Sequence, residues 1–183
     1  MREDIQLAVV GAGPAGSTAA LVAARDLDVV LIDRKSEIGS PVQCGGFLPE
    51  AWELEALLPR AGLPDNLREI PEHCILHRTQ LQRIYSPSGK SKEFAVAGRV
   101  IDRRAFDRHL ASQAARAGAR ILPATRATLV EGGLELFGHY AVRLRPQMII
   151  GADGPSSIVS RYMGNPAQEV GICQEYEMTD VDI

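Results

Sequence analysis

The sequence predicts an α/β fold: a mainly parallel sheet with helices and a β-meander, joined by an inserted antiparallel sheet. Three observations predict it. An apolar run, Ile5 to Val10, turns through Gly11-Ala12-Gly13-Pro14-Ala15-Gly16 into small and apolar residues at helical spacing, Ala15 to Ala24. A second apolar run, Gln147 to Ile150, ends in Gly151-Ala152-Asp153-Gly154. Between them, residues 72 to 98 change to short strand-like stretches around a Pro87-Ser88-Gly89-Lys90 turn.

Taken in order, Ile5 to Val10 reads as a buried strand. Val29-Val30-Leu31-Ile32 is the next strand, closed by Asp33. This unit is Rossmann-like. Gly11 permits the tight strand-to-helix turn, Gly13 lets backbone approach a pyrophosphate, and Gly16 lets the helix lie close to the strand. Pro14 suits the first helical position, where no N–H is needed. Asp33 is an acceptor for a ribose diol. The helix N-terminus offers free N–H groups to phosphate.

Residues 34 to 49 carry Gly39, Pro41, Gly45, Gly46 and Pro49 and read as a loop, of a length that is usually functional. Glu50 to Leu58 returns to helical spacing through Trp52, Leu54, Leu57 and Leu58, and 59 to 71 is a broken connector. Ile75-Leu76 and Gln82 to Tyr85 read as short strands, with Phe94 to Val96 as the return strand. Asp102 caps a helix whose Phe106, Leu110, Ala114 and Ala117 share one face, and Gly118 ends it. Ala119 to Leu122 then returns a strand to the parallel sheet. Residues 124 to 145 read as a β-meander, and Gln147 to Ile150 as a buried strand. Val170 to Ile183 alternates weakly.

Composition excludes little but directs the search. The 183 residues, with 45% hydrophobic and 23% charged, fit a soluble globular chain. A net charge of -3 gives no reason to expect nucleic acid. Cys44, Cys74 and Cys173 form no CxxC pair and no disulfide framework, which favours a reducing compartment. No apolar run approaches the roughly 20 residues that span a bilayer. A strand begins at once, leaving no room for a leader, so the expected location is cytoplasmic, with peripheral membrane contact left open. The four histidines show no metal-ligand spacing, and no metal is expected.

Three further motifs carry chemistry. Asp153 and Gly154, followed by Pro155-Ser156-Ser157, repeat the logic of the first turn: small residues for close approach and N–H groups aimed at anions. Arg103 and Arg104 occupy a first helical turn against the helix dipole, which points to an anion for Arg103, or else to two arginines balanced by Asp102 and Asp107. Cys44 sits in a glycine-rich loop beyond Asp33, either near a reactive cofactor ring or as a small filler, which is the reading for Cys74 and Cys173 in presumed strands.

Together GAGPAGSTAA, the Asp33-Arg34-Lys35 turn, VIDRRAFDRHL and GADGPSS resemble the FAD-binding part of flavoproteins of the para-hydroxybenzoate hydroxylase type. Within that group, IGSPVQCGGF is similar to the cysteine loop of the geranylgeranyl and digeranylgeranylglycerophospholipid reductases. Gln43 stands where those reductases often carry Arg, and Gly45-Gly46-Phe47 where they often carry Ala-Glu-Gly. The resemblance covers residues 5 to 164. It implies FAD as cofactor, with the Gly11 to Gly16 turn on the pyrophosphate, including Pro14 and Ala15. Asp33, with Arg34 beside it, would hold the adenosine ribose, Arg103 the phosphate or ribityl region, and Ala127 would lie against adenine. Cys44, Gly45 and Phe47 would lie beside the flavin, with Cys44 catalytic.

The implied activity is reduction of C=C bonds in geranylgeranyl lipid chains. The substrate would be an isoprenoid lipid, and the external electron donor, NAD(P)H or a ferredoxin-like protein, is left open. A flavin monooxygenase or halogenase on the same fold, or a non-catalytic nucleotide-binding fragment, are the competing readings. The expected division places 1–71 and 99–165 in a discontinuous FAD-binding domain. It leaves 72–98 and 166–183 as the start of a substrate-side sheet in roughly the N-terminal half of a longer enzyme.

Overall fold

The computed structural model describes residues 4–60, 62–166 and 169–174. Strand β1 is Asp4–Val10, helix α1 is Pro14–Ala23 and strand β2 is Val29–Ile32. A three-residue strand β3, Phe47–Pro49, precedes the short helices α2, Ala51–Leu57, and α3, Asp65–Arg68. Two 11-residue strands follow a single 3-10 turn at Glu72–Cys74: β4, Ile75–Tyr85, and β5, Ser91–Ile101. Helix α4 is Arg103–Arg116, β6 is Arg120–Leu122, β7 is Thr125–Val130, β8 is Gly133–Gly138, β9 is Arg143–Gly151 and α5 is Ile158–Tyr162.

The main sheet runs β6-β2-β1-β9-β8-β7. Its first four strands are parallel, with Leu7 opposite both Val29 and Met148. Strand β9 serves two neighbours in turn. Arg143 and Leu144 pair antiparallel with β8, and Arg145 to Gly151 pair parallel with β1. The β7-β8-β9 meander therefore folds back over one face of the parallel strands. Ile5, Ala8, Val10, Val30 and Ile32 meet Leu134, Leu136 and Leu144 there in one buried cluster. Alternation along the strands sends Leu7, Val9, Val29 and Leu31 to the opposite face, onto Ala20 of α1 and Ala114 of α4.

The second sheet, β3-β5-β4, is antiparallel. A third cluster, Ile70, Cys74, Ile101, Phe106 and Leu110, ties it to α4, with Leu48 and Ile75 packed alongside. Helix α4 thus touches both sheets. Its Phe106 and Leu110 bind it to the antiparallel sheet and its Ala114 to the parallel one.

Several expectations are corrected. The loop after Asp33 ends earlier than expected, because Phe47, Leu48 and Pro49 pair with Val100, Arg99 and Gly98. The stretches at 75–76 and 82–85 are one strand, since pairing with β5 bridges the polar residues between them. The helical spacing over 50–58 does give a helix, α2, but one that buries no residue, with Trp52, Leu57 and Leu58 exposed. Gln147 to Ile150 is a strand but not a buried one: Met148 is 51% and Ile150 38% exposed. Cys74 lies in the 3-10 turn and is buried, as a filler would be, whereas Cys173 is exposed and in no strand. The alternation read for 170–183 lies outside the described residues from 175 onward, and 169–174 form neither helix nor strand.

Candidate cofactor site

The site grows from the first turn. Gly11 leaves β1 with φ +101°, a conformation that L side chains rarely adopt, and its N–H donates to the Ile32 carbonyl at 2.7 Å. A Cβ at Gly16 would collide with the backbone carbonyl of Gly11, so α1 can start this close to the strand only with glycine there. Gly13 differs from both. It has ordinary extended angles, φ -70° and ψ -177°, and a Cβ built on it meets nothing within 4 Å. No side chain caps α1, which leaves the first-turn N–H groups of Ala15 and Gly16 for a ligand.

Asp33 is tied into this turn. Its Oδ2 accepts the Ala12 N–H at 2.7 Å and its Oδ1 the Lys35 N–H at 2.8 Å. The carboxylate is thereby fixed at the C-terminal end of β2, with a further acceptor lone pair on each oxygen. Asp153 is likewise anchored. It accepts the Ser157 hydroxyl at 2.5 Å and the Ile158 N–H at 2.6 Å, fixing the turn that leads into α5.

These groups surround a cleft of about 540 Å³. It is lined by Gly11 to Gly13, Asp33 to Lys35, Gly39, Gln43, Asp107, Thr125 to Thr128 and Ala152 to Ser156, with Val10, Ile32 and Ile158 behind. The chemistry of these walls fits a dinucleotide. A helix N-terminus and open space above Gly13 suit a pyrophosphate, and a fixed carboxylate suits a ribose. Of the residues expected from sequence, Gly11, Gly13, Asp33, Arg34, Ala127, Asp153 and Gly154 converge here. Pro14, Ala15, Gly16, Cys44, Gly45, Phe47 and Arg103 do not line the cleft.

Arg103 spends its guanidinium on Asp107 in a two-pronged pair, Nε to Oδ1 and Nη2 to Oδ2, both at 3.1 Å. Asp102 caps the helix by accepting the Arg104 and Ala105 N–H groups at 2.9 and 3.1 Å. The arginine that opposes the dipole is therefore balanced within its own helix. Burial works against the charged guanidinium, but the hydrogen bonds and charge of Asp107 outweigh it, and the Cys44 thiol adds to the same side; the net shift is upward. Cys44 is exposed beside this arginine. Its loop is held to the end of β5 where the Ile101 N–H donates to the Gly46 carbonyl at 2.9 Å. Phe47 lies across Gly98 of β5, where a Cβ would come within 2.5 Å of the ring.

Sequence reasoning missed Ala12, Lys35, Gln43, Asp107, Arg126 and Ser156 in the cleft wall. Asp107 was within reach of it, since the (i, i+4) spacing from Arg103 is a pairing signal. Arg126 and Gln43 carry no such signal. Only the folding of the meander and the loop onto the strand ends brings them in.

The model of the FAD binding domain family matches residues 4–183. The chain belongs to the FAD binding domain family, and its cofactor is FAD. It is 53% identical over 161 residues to an uncharacterized protein in the nifH2 5′ region of Methanosarcina barkeri, covering 85% of this chain and 86% of that one. It is 36% identical over 203 residues to the digeranylgeranylglycerophospholipid reductase of Methanosarcina acetivorans, covering 100% of this chain and 47% of that one. The chain thus spans about half the length of the curated reductases it matches. Among solved structures, a geranylgeranyl bacteriochlorophyll reductase-like protein from Thermoplasma acidophilum superposes with a TM-score of 0.66 at 33% identity, covering 83% of this chain and 40% of that one. The halogenase PltM in complex with phloroglucinol and FAD superposes with a TM-score of 0.60 at 17% identity, covering 87% and 36%, a likeness of fold alone. Among the described residues no helix is long and apolar enough to cross a membrane.

Proposed function

We propose that this chain is the FAD-binding part of an oxidoreductase that saturates C=C bonds in geranylgeranyl chains of an isoprenoid lipid. The observation that carries the reading is the Cys44 loop. It leaves the cleft at Gly39 and Gln43, sets an exposed thiol beside Arg103, and ends in Phe47 on the antiparallel sheet. That course runs from the cofactor side to an apolar sheet edge. The reductases of similar sequence, named for digeranylgeranylglycerophospholipid, support the same substrate class.

FAD, when bound, supplies the two-electron chemistry that adds hydrogen across the double bond. The residues around it bind and orient. In this reading Gly13, Ala15 and Gly16 hold the pyrophosphate through backbone N–H groups, with Pro14 shaping the first helical turn between them, and Asp33 with Arg34 holds the ribose. Ala127 borders the adenine, and Asp153 with Gly154 closes the phosphate side. Arg103, set by Asp107, positions Cys44, while Gly45 and Phe47 shape the space beside the reacting ring. Residues 1–71 and 99–165 form the cofactor domain, and 72–98 with 166–183 begin the substrate side. An external donor, a nicotinamide nucleotide or a ferredoxin-like protein, reduces the enzyme. The protein works in the cytoplasm in peripheral contact with the membrane that holds its lipid.

The test is Cys44→Ser in the full-length enzyme. Flavin content and melting temperature should hold, because the thiol is exposed, while reduction of a geranylgeranyl substrate falls. Wild-type turnover by the variant would remove the cysteine from the mechanism. Rapid oxygen consumption with an electron donor, and no lipid reduction, would transfer the protein to the monooxygenase reading.

A further inference from the structure

The start of β7 is tied to the turn after β2. The Thr125 N–H donates to the Asp33 carbonyl and the Ala124 N–H to the Lys35 carbonyl, both at 2.8 Å. The Ala124 carbonyl in turn accepts the His139 N–H at 3.0 Å. Ala124 sits at φ +50°, alone among the non-glycine residues described. Alanine adopts this left-handed conformation at a cost, and it persists only where the surroundings impose it. What the strain fixes here is the register of β7 against Asp33. Alternation then turns Ala127 and Leu129 into the meander cluster and Arg126 the other way, where it lines the cleft.

Three cations line the cleft: Arg34, Lys35 and Arg126. Lys35 is engaged, since its Nζ donates to the Pro41 carbonyl at 3.0 Å. Arg34 and Arg126 flank the joint between Asp33 and Thr125, and among the described residues neither guanidinium has a hydrogen bond or an ion pair. No Phe, Tyr, Trp or His lines the cleft. A planar base entering it meets no aromatic ring, and the planar cations able to lie against it are these two guanidinium groups.

We infer that Arg126 holds the adenine of FAD by laying its guanidinium on the face of the ring, while Arg34 stays with the ribose beside Asp33. The inference rests on the cofactor orientation proposed above, with the ribose at Asp33 and the adenine at Ala127. Arg126 directly precedes Ala127, so its side chain leaves β7 beside the base, whereas the pyrophosphate sits at the start of α1. A guanidinium over the ring attracts its π face and needs no acceptor atom on the base.

The test titrates FAD and ADP into the full-length protein stripped of its flavin. Arg126→Ala should weaken both by about five- to thirtyfold, the range from an exposed to a desolvated cation–π contact. Arg126→Tyr, flat but uncharged, should recover most of that loss, whereas Arg126→Lys, charged but not flat, should not. Arg126 is exposed, so each variant should fold, and circular dichroism checks this; a variant that does not fold is replaced by Arg126→Gln. Unchanged ADP affinity in Arg126→Ala would overturn the inference. Rescue by lysine and not by tyrosine would overturn it too, moving the guanidinium to a phosphate. Asp33→Ala, titrated alongside, separates the stacking from the orientation beneath it. If Asp33→Ala weakens ADP and the Arg126 variants do not, the stacking alone falls. If none of them does, the placement of the adenosine falls with it.

Discussion

Gly13→Val separates a ligand contact from a folding requirement at a single atom. A Cβ at Gly13 meets no protein atom within 4 Å, and φ -70° with ψ -177° suits any residue. The fold should therefore tolerate the change. The only cost is a poorer residue at the helix cap, about 1 kcal/mol. For a chain of this length that lowers Tm by about 2–4 °C. The branched side chain nevertheless fills the space over the N–H groups of α1. Losing even one charge-assisted hydrogen bond to the pyrophosphate costs about 1.5–3 kcal/mol, or about ten- to a hundredfold in FAD affinity. Gly16→Ala is the contrast, since its methyl would strike the backbone carbonyl of Gly11, which cannot rotate aside. It should cost about 1–3 kcal/mol of stability by overpacking. Thermal unfolding followed by circular dichroism, beside FAD titration by flavin fluorescence, reads both quantities. Full FAD affinity in folded Gly13→Val would refute the placement of the pyrophosphate. A Gly16→Ala protein as stable as wild type would refute the packing argument.

Four other outcomes follow from the same structure. Asp107→Ala should release Arg103 and leave a part-buried guanidinium unpaired, lowering both Tm and FAD affinity; unchanged FAD binding would make the pair purely structural. Cys74→Ser should lower stability by about 1–3 kcal/mol, because a hydroxyl would replace a thiol in an apolar cluster, and denaturant midpoints check it. Leu110→Ala, at 0% exposure between α4 and the antiparallel sheet, should cost about 2–5 kcal/mol, and a smaller loss would mean that the cluster recloses. His109 has its pKa lowered by burial first, then by His73 and Arg116. Its neutral form therefore favours the fold above the ordinary value of 6.5, and that contribution is lost as pH falls below 6.5 through the folded pKa. His109→Gln should flatten the fall of Tm between about pH 7 and 5, and an unaltered slope would exclude this histidine.

The sequence by itself determined the cofactor turn. Gly11, Gly13, Gly16 and Asp33 interact within one β-α-β unit, where chain connectivity sets the distances and each residue type is demanded by local backbone geometry. The same holds for the Asp102 cap and for the helix it starts. Tertiary structure decided what depends on partners far along the chain. Phe47 to Pro49 become a strand only because β5 lies beside them, and β4 is continuous only because β5 templates its polar middle. Gln43, Asp107 and Arg126 enter the cleft wall from three separate elements that no local pattern connects. The exposure of Met148 and Ile150 is the clearest case. An apolar run states that a surface is to be covered, but whether the cover is present depends on which elements pack there, and β8 turns away to the opposite face.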